Sequence, residues 1–164
     1  MSRLFVAVTL SDEIRKSVNQ TLHEMKQCGI KGNYSPTANL HLTLAFIGEI
    51  REPEQVMDAL RTVTWKPFKL SLDGLGCFGD ILWVGVKGNQ GLNGAARAVR
   101  EALSAAQIRF DTKKFEPHIT LIRKTSGNWK QVPAPKGEMM VKKISLMKSE
   151  QKNGRPVYTE IMAF

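Results

Sequence analysis

One short sequence that occurs twice constrains this chain more than any other feature. Leu40-His41-Leu42-Thr43-Leu44 and Pro117-His118-Ile119-Thr120-Leu121 share a His-x-Thr-Leu core, with histidines 77 positions apart in 164 residues. Each copy alternates apolar with polar side chains, the period of a strand that buries one face and turns the other outward. The repeat predicts two related lobes with one such strand in each. No solenoid period accompanies it.

The rest of the chain supplies elements around these two strands. Arg3 to Thr9 alternates and is rich in Phe and Val, which suits a strand. Ser11 then offers an N-cap, Asp12 and Glu13 suit a first helical turn, and Ile14, Val18, Leu22 and Met25 follow at helical spacing, with Lys26 and Gly29 closing the helix. After a loop with Gly32 and Pro36, Asn39 to Ile47 reads as a strand ending at Gly48. A second helix starts at Pro53 and buries Val56, Met57, Leu60 and Val63. Strands at Phe68 to Leu72 and Ile81 to Val86 flank a glycine-rich connection. A third helix, from about Gly91 to Gln107, buries Leu92, Ala95, Ala96, Val99, Leu103 and Ala106, with Arg97 and Arg100 outside. Pro117 to Ile122 is a strand, and Met139 to Met147 with Pro156 to Met162 reads as a final hairpin around Asn153-Gly154. The sum is an α+β fold, expected as one bilobal domain over residues 1–164 with helices covering the sheets.

A chain of this length buries about 70% of its unfolded surface, so its core needs neither metal nor disulfide. Its apolar runs are far shorter than the roughly 20 residues that cross a bilayer, so no membrane partner is expected. The first dozen residues read as a strand and not as a signal peptide, which makes the cytoplasm the expected location. Cys28 and Cys77 form no Cys-x-x-Cys pair and are expected as small buried hydrophobes without a function. Lys and Arg number 24 against 15 Asp and Glu, a net charge of +9. That balance favours an anionic partner but does not choose a reaction.

The two repeats carry the chemistry. On a strand, residues two apart share a face at roughly 7 Å, so His41 lies with Thr43, and His118 with Thr120. Two converging strands would bring two imidazoles and two hydroxyls to one pocket. Histidine titrates near neutrality, so one ring can accept a proton from water while the other gives one to a departing alkoxide, with hydroxyls on the phosphate oxygens. That set breaks a phosphoester with no metal and no cofactor. A lone strand histidine is ordinarily structural; two of the chain's three in matched motifs are not. His23, in the first helix, reads as a surface residue.

Asn39-Leu40-His41-Leu42-Thr43-Leu44-Ala45-Phe46-Ile47-Gly48-Glu49 and Phe115-Glu116-Pro117-His118-Ile119-Thr120-Leu121-Ile122-Arg123 resemble the paired signatures of the 2H phosphoesterase superfamily. Within it the chain is most similar to the bacterial RNA 2′,3′-cyclic phosphodiesterases, historically called 2′-5′ RNA ligases. The similarity extends to Arg3-Leu4-Phe5-Val6-Ala7, Leu82-Trp83-Val84-Gly85 and a final hairpin near Tyr158. The resemblance implies a duplicated two-lobe fold with both motifs in the cleft, and metal-free hydrolysis of an RNA 2′,3′-cyclic phosphate to a 2′-phosphate. It assigns His41 as proton donor and His118 as acceptor, with Thr43 and Thr120 on the phosphate. The residues alone do not distinguish donor from acceptor. RNA 3′ ends or small cyclic nucleotides are the implied partners, and no protein partner is. Action on 2′-5′ linkages, and a non-catalytic basic RNA-binding module, are the alternatives. Strict alternation puts Arg123 opposite His118, outside the site unless the strand bulges.

Other signals are set aside. Gly74-Leu75-Gly76-Cys77-Phe78-Gly79 matches G-x-G-x-x-G by letter, but a dinucleotide fingerprint must open a helix and here a strand follows. Each histidine lacks a second metal ligand at strand spacing. Trp83 is expected in the core, and Trp129 beside Lys130 is the better candidate to stack on RNA bases.

Overall fold

The computed structural model describes residues 2–164. Its elements are β1 (Ser2–Thr9), α1 (Asp12–Gln27), β2 (Lys31–Tyr34), β3 (His41–Ile50), α2 (Pro53–Arg61), β4 (Phe68–Phe78), β5 (Ile81–Val86), α3 (Gln90–Ala105), β6 (His118–Ser126), β7 (Glu138–Val141), β8 (Ser145–Lys152) and β9 (Arg155–Ala163). The strands form two antiparallel sheets, ordered β3-β1-β8-β9 and β2-β6-β5-β4-β7. Strand β3 neighbours β1 as β6 neighbours β5, and helices follow β1 and β5, so the repeat seen in sequence is a repeat of architecture. The fold is α+β.

Local rules act at the element ends, at Ser11 and Asn153-Gly154 where the sequence placed them and at Asn89 where it named no cap. The Ser11 hydroxyl accepts the Ile14 amide at 3.3 Å to start α1, and Asn89 Oδ1 accepts the Leu92 amide at 2.8 Å to start α3. Asn153 and Gly154 take positive φ, 54° and 75°, in the β8–β9 turn, a conformation those two residues adopt readily. Strand β1 is buried on both faces. Leu4, Val6 and Val8 join the main apolar core with α1, whereas Phe5 and Ala7 form a smaller cluster with Met147 and Tyr158 on the other side. That second face supports the functional site.

Several expectations need correction. Strand β2 was not expected, because Lys31–Tyr34 has no buried alternation and acts only as an edge on β6. The stretch Met139 to Met147 is not one strand: it breaks at residues 142–144, so that β7 pairs with β4 and β8 with β1. Ala106 lies beyond α3 and is exposed, and Arg100 is half-buried instead of outside. Cys28 is exposed and Cys77 half-buried, so neither is a core residue. Among the described residues, no helix is long and apolar enough to cross a membrane.

Candidate active site

The two motifs share a structural irregularity as well as a sequence. In the β1–β3 ladder Ala7 pairs with Thr43 but Val6 pairs with Ala45, which leaves Leu44 as an extra residue. In the β5–β6 ladder Trp83 pairs with Thr120 but Leu82 pairs with Ile122, which leaves Leu121 extra. Both are β-bulges, and a bulge reverses the facing of every residue after it. The burial sequence from each histidine is accordingly the same: half-buried, buried, half-buried, buried, buried, exposed. The exposed sixth residue is Phe46 in one copy and Arg123 in the other.

This corrects the placement of Arg123. The bulge at Leu121 returns it to the face of His118 and Thr120, and it lines the same cleft. The signal was present in sequence, since Leu44-Ala45 and Leu121-Ile122 each put two small or apolar residues together at the same offset from the histidine.

The cleft, of about 1590 Å³, is lined by His41, Thr43, His118 and Thr120 together. Each imidazole is held in the same way. Nδ1 of His41 lies 2.6 Å from the Asn39 carbonyl, and Nδ1 of His118 lies 2.6 Å from the Glu116 carbonyl. A carbonyl can only accept, so each Nδ1 carries the proton and each Nε2 is the free nitrogen. Aromatic rings fix the opposite sides. Phe5 and Tyr158 stand 4.8 and 5.3 Å from the His41 ring, and Phe78 and Trp83 stand 5.3 and 6.1 Å from that of His118. Trp83 is therefore not a core residue but the backing of His118, at the cleft face of β5. None of these four rings was assigned from sequence, because their roles depend on which strands become neighbours.

Burial holds the His41 pKa below its ordinary value. The hydrogen bond to the Asn39 carbonyl opposes this, while the positive charges of Arg123 and His118 reinforce it. His41 thus favours the neutral ring.

The cleft is also electropositive. Lys26, Arg100, Lys113, Lys114, Arg123 and Arg155 line it, against the carboxylates Asp111 and Glu116. Among the described residues the ion pairs are Arg61–Asp58, Lys69–Glu138, Lys143–Glu160 and Lys148–Glu150, all outside the cleft. Among the described residues, no cation in the cleft is paired with a carboxylate. No group of three or more His, Cys, Asp or Glu that could hold a metal occurs among the described residues. His23 is exposed, as expected, yet lies on the far wall of the cleft, whereas Trp129 packs against the core and does not line it. Gly74 to Gly79 completes β4 and its turn into β5 and opens no helix.

An antiparallel two-sheet fold with paired His-x-Thr strands defines a class. The chain belongs to the 2′-5′ RNA ligase superfamily, whose family model matches residues 5–153. It is 33% identical over 177 aligned positions to an RNA 2′,3′-cyclic phosphodiesterase of Archaeoglobus fulgidus, covering 99% of both chains. The protein of that name from Escherichia coli is 32% identical over 170 positions, covering 97% of this chain and 93% of the relative. Among solved structures, E. coli LigT in apo form superposes with a TM-score of 0.85 at 27% identity, over 99% of this chain and 96% of that one. A second LigT structure, complexed with 3′-AMP, gives 0.83 at 28% identity, with the same coverage.

Proposed function

We propose that this chain hydrolyses the 2′,3′-cyclic phosphate at an RNA 3′ end to a 2′-phosphate, as a single bilobal domain over residues 1–164 whose lobes each supply one histidine. The observation that carries this reading is the convergence of two identically bulged His-x-Thr strands on one electropositive cleft. The names of the relatives at 32–33% identity support the same activity.

In the reaction a water oxygen forms a bond to phosphorus as the bond from phosphorus to O3′ breaks. His118 Nε2 takes the water proton, and His41 Nε2 gives a proton to the O3′ alkoxide, so that the ring charges exchange and a 3′-hydroxyl is left. Thr43 and Thr120 donate hydroxyl hydrogen bonds to the non-bridging oxygens, and Arg123 pairs with the phosphate charge. The donor assignment requires a charged His41, which its burial and the nearby positive charges disfavour. Burial is the larger cause; an anionic phosphodiester beside Arg123 offsets the guanidinium field and favours the charged His41 ring. No metal enters the scheme.

The test is an oligoribonucleotide ending in a 2′,3′-cyclic phosphate, incubated with enzyme and resolved by product. A 2′-phosphate end is expected. Release of a 3′-phosphate would refute the regiochemistry, and binding without turnover would leave only a basic RNA-binding module. Joining of ends through a 2′-5′ linkage is the same ring opening with a 5′-hydroxyl in place of water. It is checked by adding an acceptor strand to the same assay.

A further inference from the structure

The two bulges create a problem in duplicate, and the protein solves it in two different ways. An extra residue in a strand leaves its backbone groups outside the ladder, and a carbonyl without a partner is costly. In the second motif the bulge carbonyl, Leu121 O, accepts the Ser35 amide at 2.8 Å from the chain just beyond β2. In the first motif no strand among the described residues lies beyond β3, which is the edge of its sheet. There the bulge carbonyl, Leu44 O, accepts a hydrogen bond at 3.1 Å from Nε of Arg100 on α3.

Arg100 reaches further. Its Nη1 donates to the Lys113 carbonyl at 2.8 Å, and its guanidinium lies 5.8 Å from the Phe110 ring centroid and 5.6 Å from that of Phe115. The same segment gives the Asp111 amide to the next outward carbonyl of β3, Phe46 O, at 2.8 Å. Three residues beyond Lys113 is Glu116, whose carbonyl holds His118 Nδ1. One side chain therefore bonds the backbone next to Thr43 and the segment that delivers His118. Among the described residues, no carboxylate pairs with it.

We infer that Arg100 is a positioning residue that fixes the two histidine motifs relative to each other, through the Leu44 bulge carbonyl on one side and the 110–116 segment on the other. The inference rests on the proposed hydrolysis. Arg100 acts here through backbone groups and not on the substrate. Both of its hydrogen bonds need the planar fork of a guanidinium, which an ammonium cannot reproduce.

The experiment compares wild type, Arg100→Met and Arg100→Lys on a mononucleoside 2′,3′-cyclic phosphate, with amide hydrogen exchange on the same proteins. Met keeps the packing between Phe110 and Phe115 but has no donor. A motif displaced by about 1 Å costs on the order of 100-fold in turnover. We expect kcat of Arg100→Met to fall roughly 10- to 100-fold, with KM and the inhibition constant of inorganic phosphate within about 3-fold of wild type. Arg100→Lys falls between. The limbs of the pH profile stay in place, and the Asp111 and Lys113 amides exchange faster. An unchanged kcat overturns the inference. So does a raised KM at unchanged kcat, which would make Arg100 a substrate contact. If Arg100→Met does not fold, full turnover by Arg100→Lys overturns it alone. If the wild type itself has no turnover, the reading of function fails, and unaltered exchange at Asp111 is then what overturns the tether.

Discussion

Gly76 stands directly opposite Trp83 in the β4–β5 ladder, and replacing it with alanine tests how His118 is held. A Cβ at Gly76 would lie 2.8 Å from Trp83 Cζ3 and closer still to Cη2 and Cζ2, inside the van der Waals envelope of the indole. The indole cannot shorten, so it must tilt away from β4. It packs 4.8 Å from the Phe78 ring and 6.1 Å from that of His118, so the displacement passes to the imidazole. Overpacking of this kind costs about 1–3 kcal/mol. For a chain of this size each kcal/mol shifts Tm by about 2–4 °C, giving a loss of about 2–12 °C. With His118 moved by a fraction of an ångström to about 1 Å, kcat should fall by up to about 100-fold. Thermal unfolding and steady-state kinetics on Gly76→Ala measure both losses. Trp83→Phe removes the benzo edge that the new methyl meets, so Gly76→Ala should cost less than half as much in that background. A wild-type Tm and kcat for Gly76→Ala, or strictly additive losses in the double variant, would refute the reasoning.

His41→Ala and His118→Ala should each reduce turnover by about 10²- to 10⁴-fold with Tm nearly retained, and wild-type activity in either folded variant removes that residue from the mechanism. Activity should survive dialysis against EDTA; loss restored by added metal would overturn the two-histidine scheme. kcat/KM should follow a bell in pH, and Arg123→Met, by removing a positive charge that disfavours the His41 imidazolium, should displace one limb to higher pH. The displaced limb is the alkaline one if His41 is the donor and the acid one if it is the acceptor, and a limb that stays fixed or moves to lower pH contradicts the placement of Arg123. KM for a long oligoribonucleotide should rise steeply with salt, and Lys113→Ala with Lys114→Ala should flatten its log–log slope by about 1–2, which equal slopes would disprove.

The fold was legible wherever one strand or helix decides its own pattern. Ser11, Pro53 and Asn153-Gly154 mark boundaries by local chemistry, and α1 and β1 sit where their periodicity puts them. What stayed hidden depends on partners distant in sequence. β2 is strand only because β6 offers it an edge, and residues 142–144 interrupt an apolar run because the chain there passes from one sheet to the other. That His41, His118, Thr43 and Thr120 line one cleft was legible because the motif that carries them is duplicated. Phe5, Tyr158, Phe78 and Trp83 were not, since no spacing in sequence says which ring will face which imidazole. Arg123 lay between the two cases: alternation excluded it, and a pair of adjacent buried residues, repeated at the same offset in both motifs, was the sign that alternation fails there.

Duplication also creates a chemical difficulty that the rest of the cleft answers. Two imidazoles on equivalent strands are each held through Nδ1 at the carbonyl two residues earlier, so the repeated letters alone do not set them apart. Acid–base catalysis needs them unequal. The strand positions that break the symmetry are those just outside the repeated letters. Burial lowers the proton affinity of His41 most, the guanidinium five residues after His118 adds to it, and five residues after His41 stands the neutral ring of Phe46. The bulge carbonyls are met by a backbone amide in one copy and by a charged side chain in the other. A scaffold that is symmetric in its backbone thus becomes asymmetric in its charges, through substitutions at the few positions that the repeat leaves free.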